Sequence, residues 1–250
     1  MKQKDNSKIS RLFVGILGGI GPLASLEFIN SIHKFDLLHN QFSTEQNFSK
    51  YILLCDPSIP DRTQNLLNNK HVELQVEVEK RLQILNNTQV DYIIPVCFTV
   101  STVLNNLSHK FKIISVVGIA MKEILARNQK VLILCTNGTR MLNIFCGHPL
   151  WDKAKHYMTW PDDLDQLQIH ELIYQIKIGG SIKSIETMID QLLIKYQTPL
   201  WLAGCTELHL LTSLKYFKEK TFNFIDPFLS IAQMISANQS EFLGDTNMIL

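Results

Sequence analysis

Two cysteines stand in short segments whose neighbours could support acid/base chemistry. Cys97-Phe98-Thr99 closes the apolar run VDYIIPVC at 90–97, and Gly204-Cys205-Thr206-Glu207 closes PLWLAGC at 199–205. Each sulfur comes with a hydroxyl and with turn backbone N–H groups, which can bind a carboxylate and lower a thiol pKa. Two thiols on opposite sides of one bound molecule suit a two-base reaction. One, as thiolate, removes a proton from carbon; the other, as thiol, returns a proton to the opposite face and inverts the stereocentre. No cofactor is needed where the site itself stabilises the carbanion. A single cysteine in a Val/Ile-rich run is more often a buried strand residue, so the weight rests on the pair and its neighbours.

The elements around these loops read as a parallel α/β fold. Runs dense in Val, Ile and Leu without alternation (LFVGILGG, YILLCD, VDYIIPVC, KIISVVG, VLILCT, PLWLAGC and FNFID) suit strands buried on both faces. Between them, residues 71–87, 119–128 and 167–180 return apolar side chains every three or four positions, which predicts crossover helices. The segment at 14–25 weakly echoes that at 131–142, and 90–104 echoes 199–211. Together these predict two similar lobes, each a mainly parallel sheet flanked by helices, with the active site in the cleft between them. The first lobe is expected over 1–107 plus 223–250, the closing run at 223–235 returning to pack on it, and the second over 108–222. Because ligand crevices in open parallel sheets lie at the carboxyl ends of strands, Cys97 and Cys205 would both face the cleft.

Composition removes several functional classes. In 250 residues, 24 Lys+Arg against 23 Asp+Glu give a net charge of +1, and no basic run interleaved with aromatics appears, which argues against nucleic acid as a partner. Lys2, Lys4, Lys8 and Arg11 before residues 12–24 look superficially like an export signal, but Gly15, Gly18, Gly19, Gly21 and Pro22 break the helix it would need. Residues 1–10 read as a polar, frayed start. No stretch approaches the ~20 apolar residues of a membrane span, so a cytoplasmic protein without a membrane partner is expected. Five cysteines, an odd number with no Cys-x-x-Cys pair, fit a reducing compartment, and eight scattered histidines give no metal site. Cys55, Cys135 and Cys146 read as structural. Gly18-Gly19-Ile20-Gly21 lacks both the phosphate-loop ending and dinucleotide spacing, and reads as a tight turn letting backbone approach a ligand.

Several motifs taken in order resemble the cofactor-independent aspartate/glutamate racemases. Gly15 to Ala24 looks like that family's Gly-rich loop, with Gly21 and Pro22 at the substrate. Pro57-Ser58-Ile59-Pro60-Asp61-Arg62-Thr63 is similar to its Ile-Pro-Asp-Arg-Thr signature. Cys97 and Thr99 match the first catalytic loop, Gly204-Cys205-Thr206-Glu207-Leu208 the second, and Ile225-Asp226-Pro227 the closing segment. The resemblance implies an amino-acid racemase with Cys97 and Cys205 as paired acid and base. It implies Arg62 and Lys177 as cations for a side-chain carboxylate, Thr99 and Thr206 for the α-carboxylate, and Glu207 at the substrate. It further implies aspartate or glutamate as the small-molecule substrate and a homodimer. The departures are Phe98 for the usual asparagine, Ser101 for histidine, Asn137 for a frequent lysine and His209 for proline. They keep open a shifted substrate, or a racemase-fold protein that binds an amino acid or related carboxylate with little catalysis.

Overall fold

The computed structural model describes residues 11–39, 44–104, 107, 110–219 and 222–238. The polar start read over residues 1–10 lies outside them. In the first half, β1 (Phe13–Gly18), α1 (Pro22–His39), β2 (Lys50–Cys55), α2 (Arg62–Leu67), α3 (His71–Asn86), β3 (Tyr92–Pro95) and α4 (Ser101–Leu104) follow in order. After α5 (Val116–Arg127) come β4 (Val131–Leu134), α6 (Asn137–Met141), α7 (Trp151–Ala154), β5 (Met158–Thr159), α8 (Asp163–Lys177) and α9 (Ile182–Tyr196). The chain closes with β6 (Leu200–Ala203), α10 (His209–Lys218), β7 (Phe224–Ile225) and α11 (Pro227–Ser236).

Two parallel sheets flanked by helices result, in the orders β2-β1-β3 and β5-β4-β6-β7. The second order repeats the first, with β4, β5 and β6 in the places of β1, β2 and β3. This accounts for the internal echo: 14–25 and 131–142 each hold the central strand, its loop and the start of the next helix. Cys97 and Cys205 each stand two residues past equivalent strands, β3 and β6.

Burial follows the sequence periodicity. In α3, Leu74, Val78, Leu82 and Leu85 form the buried stripe and pack against Leu17 and Ile93. A larger core joins Val14 and Ile16 of β1 to β4, β6 and α11. No helix among the described residues is long and apolar enough to cross a membrane.

Two sequence expectations are corrected. KIISVVG is not a strand: Ile113 makes one isolated bridge to Ile93, and the Ser115 side chain accepts from the Gly118 amide to start α5. The local N-cap there outcompetes β propensity. The run at 223–235 divides between the lobes, because β7 extends the second sheet beside β6 while α11 packs on α1 and α5.

Candidate active site

Strand and helix termini from both lobes converge on one small cavity. From the first lobe come Ile20, Arg62, Cys97, Phe98 and Thr99; from the second, Thr136, Lys177, Cys205, Thr206 and Glu207. Its volume is about 10 Å³, room for roughly one water, so an amino acid enters only when the walls part. Both cysteines are buried at 7% exposure.

The Cys205 side is built by a tight 3₁₀ turn over Thr206–Leu208. It folds Glu207 back so that Cys205 Sγ donates to Glu207 Oε2 at 2.8 Å. Burial and the adjacent Glu207 carboxylate hold the Cys205 thiol well above the ordinary value, with Lys177 opposing them. Glu207 Oε1 is buried without a hydrogen-bond partner. It faces Gly21, where a Cβ would stand 2.8 Å away, and Gly21 itself has φ +143°, so this close approach requires glycine.

Arg62 opens α2 behind Asp61, whose carboxylate accepts from the Gln64 amide at 2.8 Å and caps the helix. The Arg62 guanidinium donates to Pro60 O at 3.2 Å and Ile20 O at 3.1 Å, while its Nε is buried and unpartnered. Burial opposes its charge, but Cys97, Asp61 and Glu207 outweigh this and raise its pKa. Asp61 turns instead toward α8: it accepts from Tyr174 Oη at 3.0 Å and lies 3.9 Å from Lys177 Nζ. Lys177 also sits 3.9 Å over the Tyr174 ring. Burial works against its charge too, yet Cys205, Glu207 and Tyr174 raise it above the usual ammonium value. A buried guanidinium with an orphaned nitrogen and a half-buried ammonium therefore flank the thiols, an arrangement suited to a carboxylate.

Hydroxyls line the remaining wall. Thr99 Oγ1 lies 3.2 Å from Thr139 Oγ1, which lies 3.3 Å from Thr136 Oγ1. Phe98, which occupies the usual asparagine position, is 1% exposed and packs with Phe145 and Phe228 at centroid distances of 6.1 and 6.0 Å.

The structure brings Arg62, Lys177, Cys97, Thr99, Cys205, Thr206 and Glu207 to the same cavity. Gly21 touches Glu207 from behind, and Pro22 is exposed at the start of α1. Sequence reasoning missed Thr136, Thr139 and Tyr174. The signal for the two threonines was present, since Thr136-Asn137-Gly138-Thr139 occupies the echo of the Gly-rich loop; Tyr174 gave none. Cys55 and Cys146 are exposed, and burial pushes the Cys135 thiol to about 12.

The result is a two-lobed parallel α/β protein with two thiols just past equivalent strands and two cations lining the same cavity. The family model for Asp/Glu/hydantoin racemases matches residues 17–147, and the chain belongs to that family. Among solved structures, Picrophilus torridus aspartate racemase is similar at 22% identity and TM-score 0.74, over 90% of this chain and 94% of that one. A Francisella tularensis glutamate racemase in complex with D-glutamate aligns at 17% identity and TM-score 0.57, over 94% and 84%. Klebsiella pneumoniae allantoin racemase aligns at 12% identity and TM-score 0.53, over 92% and 89%.

Proposed function

We propose that the protein is a cofactor-independent amino-acid racemase acting on aspartate or glutamate, with Cys97 and Cys205 as acid and base on opposite faces of Cα. The observation that carries this is the convergence of both thiols on one cavity with Arg62 and Lys177. Burial and Glu207 favour the protonated form of Cys205, which suits it to the role of proton donor. In one turnover the Cα–H bond breaks toward the Cys97 thiolate, leaving its electron pair on Cα, delocalised into the α-carboxylate. The Cys205 S–H proton then bonds to the opposite face. The enzyme ends with the thiol and thiolate exchanged, which is the state from which the reaction runs in the other direction, the Cys205 thiolate then taking the proton and the Cys97 thiol returning one. Hydroxyls of Thr99 and Thr206 would hold the α-carboxylate, and Arg62 and Lys177 the side-chain carboxylate.

The same reading divides the chain into two lobes near residue 107, with β7 an added edge of the second sheet and α11 returning to α1. It includes a homodimer in a cytoplasmic setting. A second reading, a racemase for a less polar or cyclic carbon acid, is favoured by Phe98 at the cavity wall, where an amide would otherwise meet polar substrate groups. Its likeness to an allantoin racemase is in keeping with that.

The test is NMR of L-aspartate and L-glutamate in D₂O with the reduced protein. Loss of the α-proton signal together with optical rotation is expected, and abolished in Cys97→Ala and in Cys205→Ala. Racemisation retained in either variant refutes the two-thiol mechanism. Exchange with a neutral or cyclic substrate alone supports the second reading.

A further inference from the structure

His209 is a departure that the racemisation chemistry leaves without a task. It stands four residues after Cys205, at the start of α10, and its ring is 1% exposed. On one side lies Asp226, between β7 and α11. That carboxylate accepts from the Phe228 amide at 2.9 Å, from Thr212 Oγ1, and from His209 Nδ1 at 2.6 Å. Since a carboxylate so placed only accepts, Nδ1 carries the proton. On the other side, Nε2 lies 3.1 Å from the hydroxyl of Ser31 in α1. Ser31 lies in turn 3.1 Å from Ser213 Oγ, and Lys34 donates to Glu27 at 2.9 Å, to which Ser213 also donates. Phe28 and Phe228 enclose the imidazole at 6.3 and 6.0 Å.

This line of hydrogen bonds crosses between the lobes. Ser31 belongs to the helix that begins next to Gly21, the residue against which Glu207 Oε1 is set. His209 opens α10 directly after the turn that carries Glu207 and follows Cys205, and Asp226 belongs to the closing segment that joins the second sheet to α11. Apolar packing alone would let these elements slide by fractions of an ångström. The buried hydrogen bonds of Ser31, His209 and Asp226 favour one arrangement, because a slip leaves a buried donor or acceptor unpaired.

We propose that His209, with Ser31 and Asp226, is a positioning device that pins the Cys205–Glu207 turn to the first-lobe helix and so fixes the second thiol relative to the first. It rests on the two-thiol reading, in which both sulfurs must address one carbon from opposite faces and a misplacement of about 1 Å costs on the order of a hundredfold in rate.

The test uses Ser31→Ala and His209→Gln in the full chain. Peptide-resolved labelling by iodoacetamide compares Cys97 with Cys205, alongside kcat and KM for L-aspartate. Labelling of Cys205 is expected to accelerate about tenfold while that of Cys97 stays within about twofold, and kcat to fall roughly ten- to a hundredfold with KM nearly unchanged. Equal acceleration of both cysteines, which general loosening would produce, overturns the proposal, as does unchanged labelling of both. The labelling contrast is read without turnover, so a protein inactive on aspartate would exclude that substrate and leave the pin to be judged by its own result.

Discussion

Replacing Gly138 with alanine would separate the two walls of the cavity, and the structure sets the size of the effect. A methyl group there would stand 2.4 Å from Thr63 Oγ1, 3.0 Å from its Cβ and 3.1 Å from its Cα. Ordinary carbon contacts lie near ~3.5–4.0 Å, so α6 and α2, which pack on each other, must part by roughly 0.5–1 Å. Overpacking of this kind costs about 1–3 kcal/mol. For a chain of this size, at ~2–4 °C per kcal/mol, that is a fall in Tm of roughly 2–12 °C. The loss of rate should be larger than the loss of folded protein. Thr63 adjoins Arg62, and Thr139 after Gly138 contacts both Thr99 and Thr136, so the shift is delivered to both half-sites. A drop in kcat of about 30- to 100-fold is expected from such a displacement. Calorimetry and the D₂O exchange assay measure the two effects, and adding Thr63→Ala should restore part of each, because it removes the nearest atom of the collision. Unchanged Tm and kcat in Gly138→Ala, or strictly additive effects in the double variant, would refute the reasoning.

Glu207→Gln removes the negative charge beside Cys205. The pH at which iodoacetamide begins to label that cysteine should move down, while racemisation falls; an unchanged labelling profile would deny the pairing. Phe98→Asn, though it restores the residue usual at that position, should lower stability by about 3–5 kcal/mol in chemical denaturation, because it empties an aromatic core site and buries an amide. A variant as stable as the parent would contradict this. Glu123, buried near Asp226, has its carboxyl raised to about 7 by burial, with Ser230 and Arg127 opposing. A raised carboxyl contributes stability that is complete below the unfolded value, near 4.5, and lost as pH rises through about 7. Glu123→Gln should therefore match the parent in Tm near pH 4 and exceed it at pH 8; a lower Tm at pH 8 would reverse the sign.

Much of the fold was legible because its signals are local. Seven apolar runs were read and six are strands, and the stripe of α3 is buried as its spacing predicts. KIISVVG misled because its composition is that of a strand, whereas Ser115 supplies a side-chain cap that no apolar count registers. Edge strand β5, two residues long, and helix α9 were not anticipated, the first being too short to carry a period. The internal echo proved informative beyond its weak identity, since it tracks the repeated strand order.

What the sequence determined by itself is the kind of chemistry and the strand ends that carry it. Residue type fixes what a thiol, a guanidinium or a hydroxyl can do, and the position of Cys97 and Cys205 just past buried strands directs them to one end of each sheet. Tertiary structure alone decided how these groups are coupled. Glu207 meets Cys205 only because a 3₁₀ turn reverses the chain, and Asp61, which adjoins Arg62 in sequence, engages Tyr174 and Lys177 from a helix more than a hundred residues away. His209, a bare departure from a motif in the sequence, becomes a link between lobes because Ser31 and Asp226 arrive at its two nitrogens. Hydrogen bonds and charge interactions depend on separations of a few ångströms between residues that the chain brings together only after both sheets have formed.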